Sequence, residues 1–320
     1  MDGTSGGRRT AVNAPRQVPG LAAAGRQMYA WADGAGLLAG PGDRDRMERT
    51  APDLFIGLCY PQAPPDRLAA LCRFAIWSWL VDDALDAHTL NAAQTARAVA
   101  ELIEELDAQE AARAARAAGP VGEVYGPLYA GRSPAWRQAL RAETAAWLGT
   151  LVTEANDRDR RRSMTVVEFL AHRRLSSNIQ TCMHLAEYAS GVDLPSPVRE
   201  APALARAREL GALWCGLYND LCSITRDRAE GNQHNAVLVV HEVDGADLRD
   251  AVRTVETIAV RTLAAFQAAV RDVPRHSQAT QVARAYGTVV RGNYDFHNSR
   301  PRYSAPGDTG GHGRTDEARV

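Results

Sequence analysis

Three carboxylates stand close together in the stretch Val81-Asp-Asp-Ala-Leu-Asp86, at Asp82, Asp83 and Asp86. On a helix, Asp82 and Asp86 are one turn apart and share a face. Carboxylates that close repel unless a cation bridges them. Their hard oxygens suit Mg2+, which keeps several waters and takes further ligands from substrate phosphates. Read alone, the triplet is equally a solvated helix end. A second pattern adds to it: Asn219, Ser223 and Asp227 lie at i, i+4 and i+8, hence on one stripe of one helix. Amide, hydroxyl and carboxylate oxygens at successive turns make a chelating ladder for a hard cation.

The elements that carry these residues read as buried helices. Leu71-Cys-Arg-Phe-Ala-Ile-Trp-Ser-Trp-Leu-Val81 is almost wholly apolar and lacks Gly and Pro, and Leu210–Tyr218 is a second apolar run. A helix apolar on all sides is buried, so the acids are expected at the mouth of an apolar cavity. Residues one and two turns before each motif then line it: Trp79, Ser78 and Ala75 before Asp82, and Cys215, Ala212 and Gly211 before Asn219. Trp79 can stabilise a cation through its π face, whereas Trp77, Trp214 and Tyr218 point elsewhere and read as core. Apart from the aromatics, these expected lining residues are small, which implies a wide cavity and leans toward a long substrate.

The rest of the chain is helical in pattern, with no alternating β-strand pattern and no repeat. Helices are expected over Leu21–Ala39, Arg46–Leu58, Arg67–Ala87, Asn91–Arg116, Ala135–Asn156, Thr165–Ala189, Ala203–Arg228, Ala236–Glu242, Ala246–Val270 and Gln278–Asn293. Pro61–Pro65 is a break, and Asp66 can cap the helix after it. The Gly- and Pro-rich stretch Gly119–Pro134 reads as a loop, Asp157–Arg162 as a solvated helix end, and Gly191–Pro202 and Gly231–Asn235 as connections. Residues 1–20 and 304–320 have the composition of disordered tails. The expectation is therefore an all-α chain with one domain over residues 21–303.

Composition bounds the function. The formal net charge is −1, so no bulk field draws the chain to nucleic acid. All the basic residues are Arg. The five cysteines form no C-x-x-C pair and are odd in number, which argues against a disulfide scaffold or a zinc site. No secretory signal is visible and no apolar run approaches a membrane span, so the default location is the cytoplasm.

On these residues the chain resembles the bacterial class I terpene synthases, the terpene cyclases. The family pairs D-D-x-x-D, intact here at Asp82, Asp83 and Asp86, with N-D-x-x-S-x-x-x-E, represented by Asn219, Ser223 and Asp227. Asp227 replaces the usual Glu and is one methylene shorter. The resemblance covers roughly residues 50–303. It implies an all-α fold around a deep apolar cavity, three Mg2+ ions and a prenyl diphosphate substrate. It assigns Arg173, 46 residues before Asn219, to sensing diphosphate. Ser176 and Ser177 fall at the linker and effector positions, at a break in their helix. Arg226, Arg302 and Tyr303 are implied as further diphosphate contacts, and Phe55 and Phe296 as aromatic partners of Trp79. Taken alone, Arg173 and Arg174 read more simply as the extension of a basic surface patch. The implied reaction is loss of diphosphate from farnesyl diphosphate and then carbocation cyclisation. The nearest rival substrate is geranylgeranyl diphosphate. More remote rivals are a chain-elongating prenyltransferase, which needs a second aspartate-rich motif, and a non-catalytic helical interaction protein. Related enzymes are often homodimers.

Overall fold

The structure, a computed structural model, describes residues 18–86, 89–111, 119–275 and 277–299. Among them are fourteen helices and no strand. The first six are α1 (Leu21–Gly34), α2 (Asp43–Thr50), α3 (Pro52–Cys59), α4 (Pro65–Asp86), α5 (Ala92–Ala111) and α6 (Gly119–Tyr129). Then come α7 (Pro134–Arg160), α8 (Val166–Ser176), α9 (Ile179–Ser190) and the short α10 (Ser196–Arg199). The chain closes with α11 (Pro202–Glu230), α12 (Ala236–Val243), α13 (Leu248–Asp272) and α14 (Gln278–Ser299). One apolar core reaches from Ala24 on α1 to Phe296 on α14. The longest helix, α11, packs against α8, α9, α13 and α14, while α4 lies against α1, α3 and α6. No helix among the described residues is long and apolar enough to cross a membrane.

The expected buried helix is α4. Leu68, Leu71, Cys72, Phe74, Ile76 and Trp77 are all buried on it, and they cover every side of its first turns. Trp77, Trp214 and Tyr218 pack in the core, as their helical positions imply.

Several expectations need correction. The helix expected over Arg46–Leu58 is two helices. Ala51 sits in the left-handed region at φ 56° and ends α2, and Pro52 then opens α3 at a position where its missing N–H costs nothing. The loop expected over Gly119–Pro134 contains α6. Pro120 stands at the start of that helix, and Val121, Val124, Tyr125 and Leu128 repeat at helical spacing and are buried. Packing outweighs the poor propensity of Gly: the Tyr125 ring meets Trp77 at 5.5 Å and Phe74 at 6.1 Å, and its hydroxyl bonds Thr144 at 2.9 Å. Nor does the run Asp157–Arg162 lie wholly in solvent, because α7 continues to Arg160 and Asp157 is only 4% exposed. Its Oδ1 accepts a 3.1 Å bond from Arg162. The connection Gly191–Pro202 includes α10 and is pinned by a buried pair, Arg199 donating to Glu187 at 2.8 and 3.0 Å. The region Thr165–Ala189 is split into α8 and α9 at Asn178, whose φ is 56°. Asn tolerates this conformation better than most residues. The split lies at the break that the family resemblance implies.

At Gly292 on α14, a Cβ would stand 2.5 Å from the Leu58 carbonyl oxygen and 2.6 Å from the Cys59 nitrogen. Only glycine lets α14 and α3 approach so closely. That approach brings Phe296 and Phe55 to a ring separation of 5.4 Å.

Candidate active site

An open cavity of about 970 Å3, counting the solvent at its mouth, is lined by α3, α4, α7, α8, α9, α11 and α14. Two helices run from its apolar part to its polar part. On α4 the lining residues are Phe74, Ala75, Ser78, Trp79 and then Asp82; on α11 they are Cys215, Gly216, then Asn219 and Arg226. Hence the polar groups gather toward the C-terminal ends of both helices. Arg173, Ser176, Ser177 and Asn178, at the α8–α9 break, complete the polar wall.

Arg173 is held by the α11 motif. Its Nη2 donates to Asp220 Oδ1 at 2.7 Å and to Asn219 Oδ1 at 3.0 Å, and its Nε donates to Asp220 Oδ2 at 3.2 Å. Nη1 reaches Ser176 Oγ at 3.3 Å. The crossing needs Gly216, where a Cβ would meet Arg173 Cγ at 3.1 Å. Asp220 is 1% exposed. Burial pushes its carboxyl up to about 6, against the pull of Arg173 and of the Ala236 N–H that donates to it at 3.0 Å. Arg174, by contrast, turns outward and pairs with Glu209 at 2.7 Å. The two arginines are therefore not one surface patch.

The ladder on α11 is internally bonded. Ser223 Oγ donates to Asp227 Oδ2 at 2.6 Å, and Arg226 Nη2 donates to Asp227 Oδ1 at 2.9 Å. Ser223 and Asp227 are buried beneath the cavity wall, while Asn219 and Arg226 line it. The oxygens of Asn219, Ser223 and Asp227 occupy successive turns and are all hard donors, so the set fits a divalent cation such as Mg2+. No three His, Cys, Asp or Glu side chains among the described residues converge on one metal position. Any cation here therefore rests on mixed amide, hydroxyl and carboxylate oxygens.

The acid triplet divides. Asp82 lines the cavity. Asp83, the next residue, points about 100° around the helix and pairs with Arg46 at 3.4 Å, a partner on α2 that is remote in sequence. Asp83 is not among the residues that line the cavity. The Asp86 side chain, Arg302 and Tyr303 lie outside the described residues.

Of the residues expected to line the cavity, Phe55, Ala75, Ser78, Trp79, Cys215 and Phe296 do so. Phe55, Trp79 and Phe296 form a closed trio, with ring separations of 5.4 to 6.0 Å. Neither Ala212 nor Gly211 lines the cavity. Gly211 packs against Met183 and Phe266, and Ala212 is fully buried behind Ser177, whose hydroxyl meets the Ala212 carbonyl at 3.5 Å. Tyr60, Phe74, Trp147 and Ile179 line the cavity as well, so the lining is not confined to small residues and the expected aromatics. Cys182 joins Cys215 there, and burial pushes the Cys182 thiol up to about 12 and Cys215 well above its usual range. Sequence reasoning also missed Asp220 and Asn235, which bond the motif from behind. The signal for Asp220 was its place beside Asn219 on a buried helix. For Asn235 there was none beyond its position at the start of α12.

Known proteins share both the sequence pattern and this fold. The model of terpene synthase family 2, C-terminal metal binding, matches residues 73–264, which is 192 of 320 residues and more than half of the chain. The chain belongs to this family, and its fold is the class I terpene synthase fold. It is an enzyme, a terpene synthase of the bacterial class I type, with a metal-binding domain. It is similar to (2Z,6E)-hedycaryol synthase of Kitasatospora setae, with 29% identity over 301 residues, covering 89% of this chain and 88% of the relative. It is also similar to pentalenene synthase of Streptomyces arenae, with 25% identity over 314 residues, covering 91% and 90%. Among solved structures, hedycaryol synthase in complex with nerolidol superposes with a TM-score of 0.74 at 26% identity, covering 87% of this chain and 93% of that one. Linalool/nerolidol synthase from Streptomyces clavuligerus gives a TM-score of 0.76 at 25% identity, covering 90% and 99%.

Proposed function

We propose that the protein binds farnesyl diphosphate with Mg2+, ionises it by loss of diphosphate, and cyclises the allylic cation to a cyclic fifteen-carbon product. The observation that carries this reading is the gradient within one cavity, from Asp82, Arg173, Asn219 and Arg226 at the polar wall to the Phe55–Trp79–Phe296 trio behind it.

Asn219, Ser223 and Asp227 would hold one Mg2+ and Asp82 would contribute from the opposite wall, with Asp83 and Asp86 as the family's further candidates. Bound Mg2+, three ions on the family pattern, supplies the positive charge that stabilises departing diphosphate. Arg173 and Arg226 would donate charge-assisted hydrogen bonds to the same oxygens, joined by Arg302 and Tyr303 from the C-terminal segment. In this structure both arginines are satisfied by Asp220, Asn219 and Asp227. An incoming anion would redirect some of those donors, and Ser176 and Ser177 at the helix break stand where such a shift would be transmitted. The aromatic trio presents π faces to the cation.

Shape bears on chain length. Phe74, Trp147 and Tyr60 add bulk to the apolar lining, and we read that bulk as favouring a fifteen-carbon over a twenty-carbon tail. The similarity to hedycaryol synthase and pentalenene synthase supports the terpene synthase reading on which this choice rests. A metal-removal experiment checks the ionisation step. With farnesyl diphosphate as substrate, EDTA should abolish diphosphate release and excess Mg2+ should restore it. Release that continues undiminished in EDTA would exclude this mechanism.

A further inference from the structure

Asn235 lies on the loop between α11 and α12, is 0% exposed and is not part of the cavity lining. Its Oδ1 accepts from the Val237 N–H at 2.9 Å and so caps α12. A cap needs only that acceptor, yet the amide NH2 is also fully engaged on α11. It donates to the Asp220 carbonyl oxygen at 2.9 Å, to Asp227 Oδ2 at 2.9 Å and, more weakly, to Ser223 Oγ at 3.4 Å.

We infer that Asn235 is a positioning residue: its amide orients the Ser223 hydroxyl and the Asp227 carboxylate toward a divalent cation. The inference rests on the metal-dependent reading above. Asp227 is the short member of its motif, and an unrestrained carboxylate on that helix could rotate away from Asn219. Two donors on Oδ2, from Ser223 and Asn235, fix its rotamer, and Asn235 itself is outside the cavity lining. Ser223 spends its one hydroxyl proton on Asp227, so Ser223 Oγ presents only lone pairs elsewhere, as a cation requires. The same loop also places the Ala236 N–H on Asp220, the anchor of Arg173. Groups behind a metal's direct ligands typically control affinity by 10- to 100-fold.

Two variants separate this role from helix capping. Asn235→Ser keeps a good N-cap but its side chain is too short to bridge to α11. Asn235→Asp keeps the cap acceptor and replaces the amide donor with a second carboxylate facing Asp227. Mn2+ binding in the presence of inorganic diphosphate, monitored by electron paramagnetic resonance, reads the site without turnover. Wild-type enzyme should bind Mn2+, and both variants should bind at least tenfold more weakly; Asn235→Ser should keep the wild-type thermal transition within a few degrees, whereas the buried like-charged pair lowers it in Asn235→Asp. The Mg2+ concentration for half-maximal activity should rise in step. Variant affinity within twofold of wild type would overturn the positioning role and leave Asn235 as a cap alone. Failure of the wild-type protein to bind Mn2+ with diphosphate would instead remove the metal-dependent reading itself.

Discussion

Asn219→Ala is expected to lower kcat/KM for Mg2+-dependent diphosphate release by about 100- to 1,000-fold, the loss typical of removing one preorganised group that stabilises developing charge. Asn219 is half-buried and lines the cavity, and its Oδ1 accepts from Arg173. Losing that bond costs stability only about 1 kcal/mol, so helical content by circular dichroism should not change. A variant with less than a tenfold loss would remove Asn219 from the metal ladder and leave it a mere partner of Arg173.

Arg173→Ala should affect both stability and activity. Asp220, 1% exposed, would keep a buried carboxylate without its guanidinium. Breaking a buried pair by removing one partner costs about 3–5 kcal/mol, measurable as a lower denaturation midpoint. The double variant Arg173→Ala/Asp220→Asn removes the stranded charge and should recover most of that stability, because the Asn side chain can still accept from the Ala236 N–H. Activity should stay at the level of the single variant, because the donor to diphosphate is still missing. If activity returned together with stability, Arg173 would be a structural residue and its place in the diphosphate site would fall.

The residues with legible chemistry were those whose spacing encodes a shared face. Asp82, Asn219, Ser223 and Asp227 stand out because polar oxygens interrupt apolar helices, and a buried helix has few reasons to carry them. Phe55 and Phe296 were reached only through the family pattern, since their meeting depends on Gly292 letting α14 close on α3. The hidden features depend on partners far along the chain. Asp83 carries the same chemistry as Asp82, but its pairing with Arg46 on another helix cannot be read from spacing. Phe74, Trp147 and Tyr60 look in sequence like any core residue, because a cavity wall and a core use the same apolar side chains. Asn235 is silent for a similar reason: a Gly-Asn-Gln-His-Asn loop says turn and cap, not that the last amide reaches back 8 residues to Asp227.

Local rules misjudged the fold where burial overrode propensity. Gly119–Tyr129 has the composition of a loop, yet Val121, Val124, Tyr125 and Leu128 are buried where α6 packs against α4 and α5. Ala51 shows the reverse case, a good helix former held at φ 56° so that α2 and α3 can change direction.

The measurement that bears most directly on the proposed reaction is incubation of the full chain with Mg2+ and either farnesyl or geranylgeranyl diphosphate, with gas chromatography and mass spectrometry of the extract. The proposed function predicts a cyclic fifteen-carbon product from farnesyl diphosphate, absent without Mg2+ and strongly reduced in Asn219→Ala. A twenty-carbon product alone would contradict the assigned substrate, and only acyclic products from farnesyl diphosphate would contradict cyclisation.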